Sequence, residues 1–481
     1  MGSKSKLDIF LNYEIRIKSI VFKMVDLIFM LCLMVLAFFV RLKLFPIESA
    51  DYYGFLKIWM DQIKSLGGFP SLGTEISNYS SSYMYLMCLV SGIDNTLYAL
   101  KSISVFFDYV AAFAVFAIVY ELTGSVRKGI FGMSALLLCP LVVLDSAYWC
   151  QCDIIYTSFI LWALYFFYKE NSTWTFIFLA FAFTFKLQTV FILPFIVIMY
   201  LKHKTVKLKD ILYIPIIFFV FQIPAWLFGR PLKDLLLIYF NQSDFYPWGT
   251  LEYPNIYALL DETIDSNHHM NEVTGAGMFL TLILLGFVAY YIYVRNVELT
   301  NDLTITLALF TLCITLYTLP HMHDRYGFLI DLTAIIYCML RPKRIPVTVG
   351  LMFVSICIST PYLISFRVMD LKYVSIIQLS LITFIGYDLY KLVCENIKED
   401  SPEEELSDVI TYEEDEDLFA GSESEEDDLF VESDFTDDLS EESGIEEYDL
   451  SGSDQYTTDT DETEDFEDLV LNIDEEEPSS Y

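Results

Sequence analysis

The chain has 481 residues, of which 55% are hydrophobic, and a formal net charge of -36 at pH 7. The hydrophobic content and the mean hydropathy of +0.46 exclude an ordinary soluble globular protein. The charge is uneven: 37 of the 65 acidic residues lie in 399–481, where no Lys or Arg occurs, and before them 28 acids face 29 bases. No strongly basic region exists that would indicate nucleic-acid binding.

Residues 20–398 carry apolar runs of the length that crosses a bilayer, about 20 residues each. The stretch 172–201 is apolar except for Lys186 and Gln188, which predicts two short helices meeting at a polar vertex. The sequence therefore predicts an all-α polytopic membrane protein with about twelve transmembrane helices. Besides the two in 172–201, the predicted spans are 20–41, 97–121, 128–144, 153–168, 210–228, 277–295, 303–319, 324–340, 345–364 and 372–393.

The orientation of these spans follows from the short basic loops, which prefer the cytoplasmic side. With residues 1–19 cytoplasmic, twelve spans bring every basic cluster to that side, together with the C-terminal segment. The clusters are Lys4 to Lys23, Arg127 with Lys128, Lys202 to Lys209, and Arg341 to Arg344. The loop 42–96 then faces outward, and its aromatic stretches 52–66 and 81–93 predict interfacial helices lying on the membrane.

The segment 399–481 combines low hydrophobicity with extreme charge, which predicts a disordered acidic cytoplasmic tail. Two interpretations stay open. The tail could simply be solvating and self-repelling, or it could dock onto a basic cytoplasmic protein and be tuned by phosphorylation. The repeated Asp417-Leu418-Phe419 and Asp428-Leu429-Phe430 suit the second interpretation.

Polar residues that topology does not explain gather on the predicted outer side. Taken singly, each could have a structural explanation; Asp51, for example, could be a solvated loop residue. Asp26, Lys101 and Asp108 lie within the first two spans, outside this set, and suit pairing between helices. Lys186 and the HMHDRY run could reach toward lipid head groups. Because the outer-side residues all lie on one side of the membrane, together they favour a site for an anionic head group and a proton transfer. The remaining members are Asp145, Asp153, Trp149, Gln151, Gln188, His321, His323, Asp324 and Arg325.

Nine cysteines are scattered, mostly within apolar runs, and indicate no disulfide framework. Cys150 and Cys152 form a C-x-C without a second Cys or His pair nearby, so no zinc site is expected there.

The runs ESADYYGFLKIWMDQIKSLGGFPSLG, NYSSSYMYLM, LDSAYWCQCDIIYTSFILWAL, FKLQ and HMHDRYGFL occur in this order between residue 20 and about residue 340. Together they resemble the bacterial membrane glycosyltransferases related to the GPI-anchor mannosyltransferases, within the GT-C superfamily. The resemblance implies a GT-C fold over 20–398 and inverting transfer of a hexose, glucose or mannose, from a polyprenyl-phosphate donor on the outer face. A polysaccharide, a glycolipid or an exported Ser/Thr-rich protein would be the acceptor.

The resemblance also implies roles for particular residues. Asp51 would be the general base, and no general acid is needed because polyprenyl phosphate is a good leaving group. Lys186, Arg325 and His323 would bind the donor phosphate. The supporting residues would be Tyr52, Asn78, Tyr79, Trp149, Gln151, Asp153, Gln188, Asp324 and Tyr326. No cofactor is expected to be required, and a divalent metal on Asp51 and Asp153 is the less favoured alternative.

Some positions depart from the family pattern. Asn78 to Tyr83 lacks the diproline of that family, Cys150 stands where Gly is common, and Asp324 replaces Glu. The acidic tail is an addition to the pattern.

A lipid-linked-sugar flippase or secondary transporter is the alternative function, since it would also have twelve spans with intramembrane charges. A third interpretation makes the tail a cytoplasmic scaffold and the membrane part its anchor. For the favoured function, the expected location is the plasma membrane of a Gram-positive bacterium, with both termini cytoplasmic and the site extracellular.

Overall fold

The structure of the protein, a computed structural model, describes residues 5–203, 206–243, 249–260 and 270–398. The acidic segment 399–481, for which disorder is predicted, lies outside these residues.

The described part is built almost entirely of helices. In chain order they are α1 (Lys6–Leu11), α2 (Met24–Leu44), α3 (Lys57–Ser65), α4 (Ser81–Val90), α5 (Thr96–Thr123), α6 (Val126–Leu137), α7 (Pro140–Val143), α8 (Asp153–Tyr168), α9 (Ser172–Phe185), α10 (Leu193–His203), α11 (Tyr213–Leu227), α12 (Leu232–Leu236), α13 (Ile238–Ser243), α14 (Met270–Val294), α15 (Asn301–Thr318), α16 (Phe328–Leu340), α17 (Ile345–Ile364) and α18 (Leu371–Glu395). Two π-helical turns, Tyr52–Leu56 and Leu144–Trp149, precede α3 and follow α7.

Two short β-pairs accompany the helices. β1 (Glu14–Ile17) and β2 (Ile20–Lys23) form an antiparallel hairpin before α2, so the first predicted span begins in a strand and becomes helical only at Met24. β3 (Thr250–Leu251) and β4 (Met322–His323) pair in parallel and join two distant loops.

Within the described residues, seven helices are long and apolar enough to cross a membrane, or eight if the pair Val126–Leu137 and Pro140–Trp149, bent by 50°, forms one span. This is compatible with a multi-pass membrane protein and gives fewer full-length spans than the twelve predicted. The other predicted spans are shorter helices, α8, α9, α10 and α16, with 16, 14, 11 and 13 residues. They are short because polar residues interrupt them: α8 begins at Asp153, α9 ends before Lys186, and α16 follows Arg325.

Basic residues gather at one end of the helices. Arg127 lies 3.4 Å from Asp26 at the start of α2, which agrees with a structural role for that carboxylate, and Lys169 lies 3.1 Å from Glu121 near the end of α5. At the same end, Arg344 pairs with Asp388 at 2.8 Å. The opposite end of α2 leads to the loop that contains the candidate site.

Charged residues inside the bundle hold α2 against α5. The guanidinium of Arg41 donates to Asp108 at 2.6 Å, both side chains are fully buried, and Ser146 donates to the same carboxylate at 2.6 Å. Lys101 donates to the carbonyls of Leu44 and Ile47, at 3.1 and 2.6 Å, and so holds the end of α2. The predicted structural pairing of Asp108 and Lys101 with neighbouring helices is confirmed.

The loop 42–96 contains the two helices that the sequence predicts, but only one of them is largely exposed. α3 buries Met60 and Ile63 on one side. α4 is buried over most of its length: Ser81 donates to Gln222 of α11 at 2.8 Å, and Tyr85 donates to the Phe221 carbonyl at 2.5 Å. α4 is therefore packed into the helical body and does not lie on its surface.

Candidate functional site

A cavity of about 520 Å³ opens between the loop 42–96 and the ends of α8, α9 and the turn before α16. Eleven of the thirteen residues singled out from the sequence line it. The two others, Tyr52 and Asp324, are buried just behind the wall, 4% and 3% exposed. The eleven are Asp51, Asn78, Tyr79, Trp149, Gln151, Asp153, Lys186, Gln188, His323, Arg325 and Tyr326.

Asp51 lies half-buried at the start of the first π-helical turn. The side-chain amide of Gln151 donates a hydrogen bond to its carboxylate. The backbone of Gln151 is itself held in place, because the Ser104 hydroxyl donates to its backbone carbonyl at 2.5 Å. Ser49 donates to the Trp149 carbonyl at 2.7 Å and ties the two segments together. The carboxylate therefore has a defined direction and keeps an oxygen that can accept a proton.

The segment that carries Gln151 makes an unusual turn. The second π-helical turn ends at Trp149, and Cys150 then adopts a left-handed conformation with φ 68°. The backbone N–H of Gln151 closes this turn by donating to the backbone carbonyl of Asp145 at 2.8 Å. Glycine suits such a conformation better than a residue with a Cβ, and this is the position where the resembled family commonly has Gly.

Two cations share one carboxylate at the cavity wall. Lys186 has extended backbone between α9 and the next helical turn, and its ammonium donates to Asp153 at 2.7 Å. Nη1 of Arg325 lies 3.8 Å from the other oxygen of Asp153. The carboxylate is 1% exposed, while the two cations are 14% and 17% exposed. Two positive charges against one negative charge make this cluster of three side chains locally positive.

The protonation of this wall is set by its neighbours. Burial is the largest single influence on Lys186 and lowers its pKa, but the charges around it, Asp153 foremost, together outweigh burial, so the pKa lies above the ordinary lysine value. Burial also raises the pKa of Tyr79, and the positive charge of Lys186 offsets this increase only in part. At neutral pH the ammonium is therefore charged and the phenol is protonated.

Aromatic rings surround the cations. The Arg325 guanidinium lies 5.1 Å from the ring centroid of Trp149, and Lys186 Nζ lies 5.6 Å from that of Tyr79. Trp149 in turn stacks on Tyr362 with centroids 5.7 Å apart. Ring faces attract cations and fix where they point.

The HMHDRY run is positioned by a strand pair and a buried asparagine that sequence reasoning missed. β4 contains His323, which hydrogen-bonds to Asp324, and β3 brings the loop 249–260 beside it. Asn255, fully buried, donates to the carbonyls of Gly249 and Leu319 at 3.2 and 3.3 Å. The only sequence signal for this contact is a polar residue in the otherwise apolar run YPNIYALL.

Several cavity residues were not assigned a role from the sequence. Phe55 and Trp59 belong to the run that begins at Glu48 and follow Asp51 at intervals of four, so helical spacing would have found them. Glu75, Asp234, Tyr239 and Tyr362 carry no such signal, because they come from separate loops and helices.

Asp145 does not line the cavity; it is buried and 3% exposed, and it contributes through its backbone carbonyl. The cysteines are free, and Cys150 and Cys152 lie buried on either side of Gln151. Among the described residues, no group of three or more His, Cys, Asp or Glu side chains could hold a metal ion.

The arrangement can bind an anion at two cations and accept a proton at a carboxylate within one cavity. A scan against models of known protein families finds no match to this chain, and a search of the curated proteins finds none either.

Proposed function

We propose that this protein is an inverting membrane glycosyltransferase with a GT-C-type transmembrane domain of about twelve spans over 20–398. It would move a hexose, glucose or mannose, from a polyprenyl-phosphate donor to an acceptor hydroxyl. One observation carries the proposal: the oriented carboxylate of Asp51 shares a cavity with the two cations Lys186 and Arg325. The resemblance of five ordered sequence runs to the GT-C glycosyltransferases supports the same assignment.

In this mechanism Asp51 takes the proton of the acceptor hydroxyl. The acceptor oxygen attacks the anomeric carbon from the face opposite the phosphate, so the configuration inverts. The bond from that carbon to the phosphate oxygen breaks, and its electron pair stays on polyprenyl phosphate. Lys186 and Arg325 neutralise the charge that develops there, so no general acid and no cofactor are needed.

The supporting residues keep these groups aimed. Gln151 orients the base, and Asp153 holds both cations at the cavity wall until the donor phosphate arrives. His323, paired with Asp324, adds a polar group beside Arg325.

We assign the cavity to the outer face of a bacterial plasma membrane, with both termini cytoplasmic. The position of the basic pairs supports this orientation, since they lie at the ends of α2 and α5 that are remote from the site. On the cytoplasmic side, the acidic segment 399–481 could then meet a basic protein partner.

Sugar transfer by the purified protein in nanodiscs, offered polyprenyl-phosphate glucose and polyprenyl-phosphate mannose in parallel with acceptor-bearing membranes, tests the proposal. We expect release of polyprenyl phosphate from one donor and a loss of about 10²- to 10⁴-fold in Asp51→Asn, which removes the base. Asp61→Asn is the matched control, because Asp61 is an exposed carboxylate of the adjacent α3 outside the cavity wall.

Equal turnover in Asp51→Asn and Asp61→Asn would remove Asp51 from the base role. No release from either donor would favour the flippase or transporter, for which the same cations would line a pathway for the lipid-linked sugar.

A further inference from the structure

The cavity contains more negative charge than an anion site requires. Among the described residues, four carboxylates and two cations, Lys186 and Arg325, line it. Asp153 is engaged with the two cations and Glu75 lies beside Arg230, which is not part of the wall, whereas Asp51 and Asp234 have no ammonium or guanidinium partner on the wall. The four carboxylates are Asp51, Glu75, Asp153 and Asp234.

The first π-helical turn and the beginning of α3 form an aromatic track that begins at the proposed base. Asp51, Phe55 and Trp59 are spaced by four residues and all line the cavity. The ring centroids of Phe55 and Trp59 lie 6.0 Å apart, and those of Trp59 and Tyr79 lie 5.4 Å apart. Phe55 is 56% exposed, so its ring is open to a ligand.

The two remaining carboxylates come from neighbouring segments of the rim. Arg230 Nη2 lies 3.6 Å from Glu75, and Asp234 follows Arg230 by four residues. The Glu75 side chain is 71% exposed, so its charge faces the entering ligand. Carboxylate oxygens accept hydrogen bonds from hydroxyl groups and repel other anions.

We propose that the acceptor is an uncharged carbohydrate that stacks on Phe55 and Trp59 and presents a hydroxyl to Asp51. This inference rests on the proposed function and names its second substrate. A donor phosphate would add a negative charge to a cavity in which carboxylates already outnumber the cations, which disfavours a phosphate- or uronate-bearing acceptor. Aromatic rings and hydroxyl-accepting carboxylates instead suit the apolar face and the hydroxyl edge of a neutral sugar ring.

The test measures binding without a donor, so that it does not depend on catalysis. The full chain in nanodiscs is titrated with mannotetraose, maltotetraose and tetragalacturonate by calorimetry. We expect at least one neutral tetrasaccharide to bind about tenfold or more tightly than tetragalacturonate, since like-charge contacts cost several kcal/mol.

Variants of the track and of the rim separate stacking from charge. Phe55→Ala and Trp59→Ala should each weaken binding of the neutral sugar by about 3- to 10-fold. Ile58→Ala is the matched control, because Ile58 is a similarly exposed apolar residue of α3 (48%) outside the cavity wall, and its affinity should be unchanged. The double variant Glu75→Gln/Asp234→Asn should reduce the difference in binding affinity between the neutral tetrasaccharides and tetragalacturonate.

Any of three results would overturn the inference: tighter binding of tetragalacturonate than of the neutral sugars, equal effects of Trp59→Ala and Ile58→Ala, or no measurable binding of any of the three sugars. A track that instead holds the lipid donor would appear as weakened donor binding in Trp59→Ala with unchanged sugar binding, which also overturns it. These outcomes leave the test of Asp51→Asn untouched, so failure of the acceptor assignment and failure of the proposed function are distinguishable.

Discussion

Asp153 has to satisfy two cations with a single carboxylate, and it does so unequally. It accepts a hydrogen bond from Lys186 at 2.7 Å, whereas Arg325 stands 3.8 Å away and its Nη1 finds no hydrogen-bond acceptor among the described residues. A buried donor without an acceptor costs free energy. A phosphate oxygen that reaches Arg325 would supply the missing acceptor, so this guanidinium is the better prepared of the two for an incoming anion.

Replacing this guanidinium should therefore damage use of the donor. We expect Arg325→Ala to raise the apparent KM for the polyprenyl-phosphate sugar by about 10- to 100-fold, the cost of losing a charged hydrogen bond. Steady-state kinetics against donor concentration measures it. Arg295→Ala is the control, because this exposed Arg stacks on Tyr291 outside the cavity wall. Unchanged kinetics in Arg325→Ala would argue against a phosphate contact.

The buried Arg41 and Asp108 pair affects stability rather than chemistry. Asp108→Ala would leave the fully buried guanidinium of Arg41 without its counter-charge, at a cost of about 3 to 5 kcal/mol. Denaturant unfolding in detergent should show this loss. Replacing Arg41 by Met in the same chain should recover much of it, since the uncompensated charge is then gone. A single Asp108→Ala variant as stable as the parent would contradict this account.

At this scale the sequence predicts residue types better than partners. Most of the polar residues that share the predicted outer side do meet in one cavity, because helices that alternate in direction bring their ends together. Asp145, His321 and Asp324 do not line it, and His321 instead lies 2.8 Å from the Thr274 hydroxyl. The partner of Asp108 could not be predicted, since Arg41 lies 67 residues away and nothing in the spacing selects it. Glu75 and Asp234 could not be predicted for the same reason: in the sequence they look like any other acidic residues, and only the fold brings them to one cavity.

Among the elements, the two π-helical turns determine how the site is assembled. One lies between Asp51 and Trp59, and the other ends at Trp149, two residues before Gln151. A π-helical turn holds one more residue than an α-helical turn, and such turns recur at functional sites. Here the first turn sets the angle between the proposed base and the aromatic track.

Lengthening the first π-helical turn should therefore uncouple base and track. The turn already holds one residue more than an α-helical turn, so one Ala inserted after Gly54 would exceed what it accommodates and would rotate Trp59 by about 100° relative to Asp51. We expect transfer to fall sharply while the thermal unfolding temperature of the protein changes little. Gly54→Ala is the control: a Cβ at this position meets no atom within 4 Å, so activity should persist. Full activity in the insertion variant would show that this angle is not needed.

Hydropathy predicts where helices occur better than where they are buried. All twelve predicted spans contain helix: α8 has the predicted bounds, α9 and α10 are the two short helices predicted on either side of Lys186 and Gln188, and α16 begins four residues later than predicted, after Arg325. An aromatic, partly amphipathic pattern predicts a surface location for α4, which is instead buried because Ser81 and Tyr85 find partners on α11. The pairing of β3 with β4 rests on two residues from each loop, too few to leave a sequence pattern.

For the whole molecule, every described residue of the cavity wall lies between Asp51 and Tyr362. The acidic segment 399–481 lies outside the described residues and carries 37 carboxylates. The chemistry that we propose uses none of these carboxylates, so we propose that the segment serves recruitment or regulation.

A chain that ends at Lys398 should keep its transfer activity after purification, within about a factor of two of the full chain. The donor-release assay in nanodiscs measures this, with circular dichroism as the check on folding. Loss of activity in a folded, shortened chain would favour the interpretation in which the tail is the functional module.

The ion pair between Arg41 and Asp108 also has a consequence for the synthesis and membrane insertion of the protein. Ribosomes add about 5 to 20 residues per second, so the 67 residues between these partners take about 3 to 13 seconds to synthesise. During that interval α2 has emerged with a guanidinium but without its carboxylate, and a lone charge is costly in lipid. If insertion accompanies synthesis, α2 should be held by the translocation machinery until α5 arrives, and the two helices should enter the bilayer as a pair.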